Sequence, residues 1–517
     1  METKEPLEKL RESKVAAQMT KEPVVAKVRR EKILKWLKNP YNLALVGIIL
    51  FALIIRIYYF IQTNDQTLWW DEAEYMATAK RWAFGVPYDL NPQRPPLFQA
   101  LSALVFIIGL GENFIRFAFI ILPSVFLVYA IYLLGKEMFN QKIALIAAFL
   151  ATLSWTFLFW SMRVQPDFMS MVFQVLAVLF MWKHWKSKST KNVILSGVFT
   201  AIGFYFKVSA LLIPMSFIVF ILIKERLYAL NDKHNYYYAF SFIITLVPYF
   251  IWSYLTFHTP FGFTAGYIEP VAKSTPFGWY NINFYYSMTE GLVFILFILG
   301  LIYGLKFLLY ADVLIKNKNK CFEPNLFSIL VLLVVSAFYI FHIKNTDDRW
   351  VFLWMPFIFF LAGSSSILIH SLIKKYSKVF AAIVLIALLA FAGYSQYKHG
   401  DALIENKKDT YMPVKLGGIW VKENSNPEDK LASISYTQST YYSERNVTSY
   451  SLFKDANEFN EFVNREKIRY LQVSLFEPHP NWIGEWINQN QNRLIPVKVY
   501  YADQQGTQAS LVIYEIK

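Results

Sequence analysis

Carboxylates bunched beside tryptophans are the first residues in this chain that invite chemistry. Residues 65–96 read DQTLWWDEAEYMATAKRWAFGVPYDLNPQRPP, with Asp71, Glu72 and Glu74 behind Trp69 and Trp70, and Arg94, Pro95 and Pro96 at the far end. A carboxylate at an apolar boundary can orient an incoming hydroxyl or accept its proton. Two other short stretches mix charges in the same way. SMRVQPD holds Arg163 and Asp167, and KNTDDRW holds Lys344, Asp347, Asp348 and Arg349. Such arginines can fork onto a phosphate or simply anchor a span. Asp167, just ahead of FMSMVFQVLAVLF, can equally cap that helix, and the acids of 71–74 can be an ordinary solvated loop. Sharing one cavity, these groups would suit a phosphate carried on a lipid. Bases would grip the phosphate, apolar spans the tail, and a carboxylate the acceptor hydroxyl.

The elements that must position these groups are membrane spans. The 517 residues are 55% apolar and 17% charged, with 46 Phe, 33 Tyr and 15 Trp, whereas a soluble domain carries about 25% charged residues. Apolar runs recur from 42–61 to 377–394. Lysines cluster around 136–142, 183–191, 224–233, 306–320 and 374–378, and the positive-inside rule puts them on the cytoplasmic face with the tail of residues 1–38. The net charge of +14 is thereby a topology signal, with no nucleic acid implied. The acid-bearing loops then face outward, and the crossings number about eleven to thirteen. The short runs 97–110 and 192–223 are the doubtful ones. Arg56 in the first span is expected to snorkel or to pair with an acid.

Glu72–Phe84 reads as a short helix lying along the membrane surface, with Tyr75, Ala79 and Trp82 on one face. After about residue 395 the composition changes to alternating helices and strands: helices at Val414–Glu423, EFNEFVNRE and NWIGEWINQ, strands at KLASISY, IRYLQVSLF, LIPVKVYYA and ASLVIYEI. The expected organisation is a basic tail (1–38), an all-α polytopic membrane domain (39–395) with interfacial helices in its first outer loop, and a small extracytoplasmic α/β domain (396–517). One cysteine, Cys321, rules out a disulfide framework or a multi-cysteine metal site. The seven histidines are scattered, giving little support to a histidine metal cluster.

These residues carry a resemblance to the GT-C class of integral membrane glycosyltransferases, which use a polyprenyl-phosphate sugar donor. The chain is similar to the protein O-mannosyltransferases and the lipid A aminoarabinose transferases. The matching pieces are DEAEY at 71–75, the Gly-x-x-Tyr of 85–88, RPPL at 94–97, Arg116, the pair Arg163 and Asp167, and RWVFLWMP from Arg349. Trp350 stands where the family has Tyr, and Arg94 where it usually has His. The resemblance implies an inverting transfer from the lipid phosphate to a hydroxyl or phosphate of a lipid, glycan or protein acceptor at the outer membrane face. It implies catalytic roles for Asp71, Glu72 and Asp167; outer placement makes Arg94, Arg163 and Arg349 candidates for substrate or phosphate binding, together with Tyr88. A divalent metal is needed by some members, and the sequence offers no defined site for one. The competing reading is a secondary transporter or flippase for a lipid-linked or anionic substrate. It calls for inverted halves, which are not apparent in the sequence.

Overall fold

The computed structural model describes residues 35–264, 278–309, 322–343, 347–503 and 505–517; most of the N-terminal tail, Cys321 and Lys344 lie outside them. Helix α1 (Pro40–Gln62) starts where the Asn39 side chain accepts the Tyr41 N–H and proline occupies the first turn. Two short helices of the first loop follow, α2 (Trp70–Phe84) and α3 (Leu97–Ile107). The Trp69 N–H donates to the Glu72 carboxylate, 3.0 Å away, at the start of α2. Gly85 ends the helix at φ 76°, a conformation that glycine adopts without strain. With 11 residues α3 is about 16 Å long, half the thickness of a hydrocarbon core.

The longer helices that follow in the membrane domain are α4 (Leu122–Met138), α5 (Gln141–Leu153), α6 (Asp167–Ser187), α7 (Thr190–Phe206), α8 (Leu212–Glu225), α9 (Lys233–Phe257), α10 (Gly291–Leu309), α11 (Phe322–Ala337), α12 (Trp354–Lys374) and α13 (Lys378–Lys407). Among the described residues, 8 helical stretches are long and apolar enough to cross a membrane. Shorter apolar helices cover Leu97–Ile107, Gln141–Leu153 and Gly291–Lys306. The chain is thus a multi-pass membrane protein with a soluble C-terminal domain. Some apolar runs counted in the sequence are helices too short to join the eight.

Helix α12 is the axis of the bundle: every residue from Trp354 to Ser366 is buried. Helix α10 packs so closely on it that a Cβ on Gly300 would overlap the Leu361 carbonyl. Arg56 does neither of the two things expected of it. Its side chain is fully buried, with Nη1 donating to the Ala52 and Thr152 carbonyls at 3.2 and 3.4 Å and no carboxylate within reach. It sits too far inside for its stem to carry the guanidinium to water.

Position 395 falls within α13, which runs on to Lys407. The soluble domain has a mixed sheet of β1 (Lys430–Ser433), β2 (Asn446–Thr448), β3 (Ile468–Ser474), β4 (Leu494–Tyr501) and β5 (Ala509–Ile516), ordered β2-β1-β3-β5-β4. Strand β1 runs parallel to β2 and β3, while β5 is antiparallel to β3 and β4. Its helices are α14 (Met412–Asn424), α15 (Tyr436–Ser443), α16 (Ala456–Glu466) and α17 (Ile483–Gln489). Helix α15 fastens this domain to α2. Lys80 donates to the Tyr441 carbonyl and to Glu444 at 2.9 and 2.7 Å, and the Leu68 N–H donates to the Tyr442 hydroxyl at 2.9 Å. The Tyr441 hydroxyl donates to Glu112 at 3.0 Å.

Gly300→Ala is expected to force α10 off α12 and to cost about 1–3 kcal/mol of stability. The melting temperature of the detergent-purified protein reads this directly. An unchanged value would mean that the two helices are not in such close contact.

Candidate active site at the membrane boundary

Residue 71 lies in the first turn of α2, which turns its carboxylate toward the loop that closes the stretch. Arg94 reaches back, its Nη2 donating to Asp71 Oδ1 at 2.7 Å. The same guanidinium holds Glu74 Oε2 through Nε and Nη2 at 3.0 and 2.8 Å and donates to the Tyr75 hydroxyl at 3.3 Å. Arg349, from the turn before α12, donates to the other Asp71 oxygen. Its Nε lies 3.2 Å from Asp347, and its guanidinium sits 5.3 Å from the centre of the Trp160 ring. Burial pushes the Asp71 carboxyl up, but Arg94 and then Arg349 outweigh it and hold the group below its ordinary value.

Glu72 and Arg163 form a second, sealed pair. Arg163 Nε and Nη2 fork onto the two carboxylate oxygens at 2.6 and 2.9 Å, and both side chains are buried, with 0% and 1% exposure for Glu72 and Arg163. The other Arg163 donors go to Gln66 Oε1 and the Thr67 carbonyl, and its guanidinium covers Trp69 at 3.9 Å. Arg116 is likewise enclosed, donating to Thr63 and to the Met162 carbonyl.

Asp167 begins α6, but its side chain does not cap the helix; it is ion-paired with Lys207. Lys207 follows α7, and its ammonium also lies 3.4 Å from the Arg349 carbonyl. Burial pulls this ammonium below its ordinary value, and Asp167 opposes the shift. Lys207 has no counterpart among the candidates read from the sequence. The available signal was its position: a lone lysine between two apolar runs, on the face where lysines are otherwise sparse. Tyr88 stacks on Tyr436 of α15, with ring centres 6.3 Å apart and 17° between planes. Trp70 meets the edge of the same Tyr436 ring at 5.0 Å. The soluble domain therefore supplies part of the wall around the α2 acids.

A cavity of about 360 Å³ opens beside these pairs. Its lining includes Tyr75, Arg94, Lys207 and His342 among apolar side chains such as Leu211, Leu212, Met215, Phe263 and Phe338. Met215, in this lining, is an exposed residue of α8. Asp71 is not in the lining but touches it through Arg94. Glu72, Arg163 and Tyr88 do not face it.

The scatter of histidines in the sequence is overturned by the fold. His184 at the end of α6 and Asp232 and His234 at the start of α9 come together, each with one ligand atom within 4.8 Å of the other two, an arrangement able to coordinate a divalent metal. His184 lies 17 residues beyond Asp167 on one helix, hence about 25 Å from the acid site.

Two substitutions separate the sealed pair from the open one. Glu72→Gln strands a buried guanidinium and is expected to cost about 3–5 kcal/mol, read as a large loss of melting temperature. The Asp71 pairs stabilise the fold fully above the ordinary carboxylate pKa, and that stability is lost as pH falls through the depressed value. Asp71→Asn should therefore flatten the acid-side fall in melting temperature. Curves of the same shape for both proteins would contradict the assignment.

No curated protein matches the chain. The profile of the family described as Dolichyl-phosphate-mannose-protein mannosyltransferase matches residues 93–252. ArnT from Cupriavidus metallidurans in the apo state superposes with a TM-score of 0.64 at 11% identity, over 91% of this chain and 98% of that one. The same protein bound to undecaprenyl phosphate gives 0.61 at 11% identity, over 91% and 97%. The archaeal oligosaccharyltransferase AglB from Archaeoglobus fulgidus, with an inhibitory peptide and a dolichol-phosphate, gives 0.58 at 13% identity, over 85% and 70%. Bundle, loop helices and soluble domain together give this chain the fold of these solved structures.

Proposed function

We propose that this protein transfers a monosaccharide from a polyprenyl-phosphate donor to a hydroxyl or phosphate of a lipid, glycan or protein acceptor, with inversion, at the outer face of the membrane. The observation that carries the reading is the lining of the cavity: Arg94 and Lys207 among mostly apolar side chains, with Asp71 directly behind Arg94. A phosphate with an isoprenoid tail suits such a lining. Two proteins of the same fold, one with undecaprenyl phosphate and one with a dolichol-phosphate bound, support that choice of ligand.

The donor phosphate sits between Arg94 and Lys207, with Arg349 close behind. The acceptor oxygen attacks the anomeric carbon from the face opposite the phosphate. The bond from that carbon to the phosphate oxygen breaks, and the lipid phosphate leaves with the electron pair, stabilised by the cations. Asp71 takes the acceptor proton. In the resting site its two arginines make it a weak base. A phosphate that draws Arg94 away from Asp71 strengthens that base once the donor is in place. Asp167 holds the Lys207 ammonium at the cavity, so it acts through Lys207. Glu72 and Arg163 keep the loop in shape, and Tyr88 with Tyr436 walls the acceptor side. The lysine-rich loops face the cytoplasm, the soluble domain the exterior.

Purified protein should release lipid phosphate and form a glycosylated product from a synthetic polyprenyl-phosphate sugar. Asp71→Asn should lower kcat by about 10²–10⁴-fold. Lys207→Met should act mainly on the KM for the donor. Wild-type turnover by Asp71→Asn would remove the carboxylate from the chemistry, and substrate flux into sealed vesicles without a covalent product would replace transfer with transport.

A further inference from the structure

The His184, Asp232 and His234 cluster lies at the opposite ends of the helices from the acid site, and the transfer reaction does not use it. His184 is 4% exposed. Its Nδ1 is 3.0 Å from the Ser189 carbonyl, which can only accept, so Nδ1 carries the proton and Nε2 keeps its lone pair. His234 Nδ1 is 2.8 Å from Asp232 Oδ1, and its Nε2 lies 3.4 Å from the Thr190 hydroxyl. The Ser189 carbonyl thus orients His184 through its far nitrogen, as ligating histidines usually are oriented, and the Thr190 hydroxyl does the same for His234 when Nδ1 faces an ion. The two rings are 4.7 Å apart, centre to centre. Asp232 Oδ2 lies 3.8 Å from the Lys188 ammonium, a half-exposed side chain that also pairs with Glu225 at 3.5 Å. Capping alone does not account for the group. Asp232 accepts the His234 N–H at 2.9 Å, but this requires neither imidazole.

We propose that these three residues bind one divalent transition-metal ion of the zinc class, fastening the end of α6 to the start of α9 on the membrane face opposite Asp71. Two imidazoles and one carboxylate favour Zn²⁺, Co²⁺ or Ni²⁺ over Mg²⁺ or Ca²⁺. Closing the ligand atoms to bonding distance takes side-chain rotation and the release of Lys188 from Asp232 toward Glu225. The ion is a structural one, because about 25 Å separates it from the carboxylates of the reaction.

The test uses the full-length protein in detergent, purified on a tag without histidine and stripped with EDTA. Titration with Zn²⁺ should show one equivalent bound and a rise in melting temperature, neither produced by Mg²⁺. His184→Gln and Asp232→Asn should each weaken Zn²⁺ binding at least 10-fold and abolish the thermal shift, while Asp71→Asn leaves both unchanged. Co²⁺ should give a visible absorption band in the wild type that is lost in His184→Gln. Absence of a bound equivalent in the wild type overturns the proposal, as does equal binding by wild type and both variants. Should His184→Gln fail to fold, Asp232→Asn alone decides, because it leaves the buried ring in place.

Discussion

Charged groups at the edge of a bilayer persist only where an opposite charge meets them, and this requirement shapes the acid-bearing end of the protein. Asp71 is held from two sides, by Arg94 of the first loop and Arg349 of the turn before α12. Those two arginines come from segments more than two hundred and fifty residues apart. The loop helices, the central helix and the cavity are thereby drawn to one point. Asp167 and Lys207 repeat the device between the start of α6 and the end of α7.

The pairs differ in what they leave open. Glu72 and Arg163 meet by a bidentate fork with no surface to spare, so they give the loop a fixed shape and little else. Arg94 divides itself among Asp71, Glu74 and Tyr75 while still lining a cavity. A group with several partners can exchange one of them for an incoming anion at modest cost. The contrast assigns the shape of the site to one pair and its reactivity to the other.

The membrane architecture, the first-loop helix and seven of the soluble domain's elements were legible because apolar run length and alternation leave direct marks in a sequence. DEAEY stood out for the same reason, as acids among aromatics between two apolar runs. Which face of α2 each acid takes was not legible. Neighbouring positions 71 and 72 point in different directions on a helix, so one reaches toward the cavity and the other into the interior. Lys207 escaped notice because a single lysine between spans looks like a connector. His184 and His234 are fifty residues apart, and only the antiparallel return of the chain brings them together. Helix α15, TQSTYYS with its polar and aromatic residues, carries no apolar period and reads as loop. Its partner surface on α2, not its own pattern, makes it a helix.

That small helix decides how separable the two halves of the protein are. Glu444 is shared between Lys80 of the first loop and Lys422 of its own domain, and Tyr441 reaches the otherwise enclosed Glu112. Trimming the chain after the last span would leave an uncovered lysine and an orphaned acid beside the α2 carboxylates. A chimera that borrows a soluble domain from another chain inherits this seam, and will hold only if the graft carries a tyrosine-bearing helix cut to fit it.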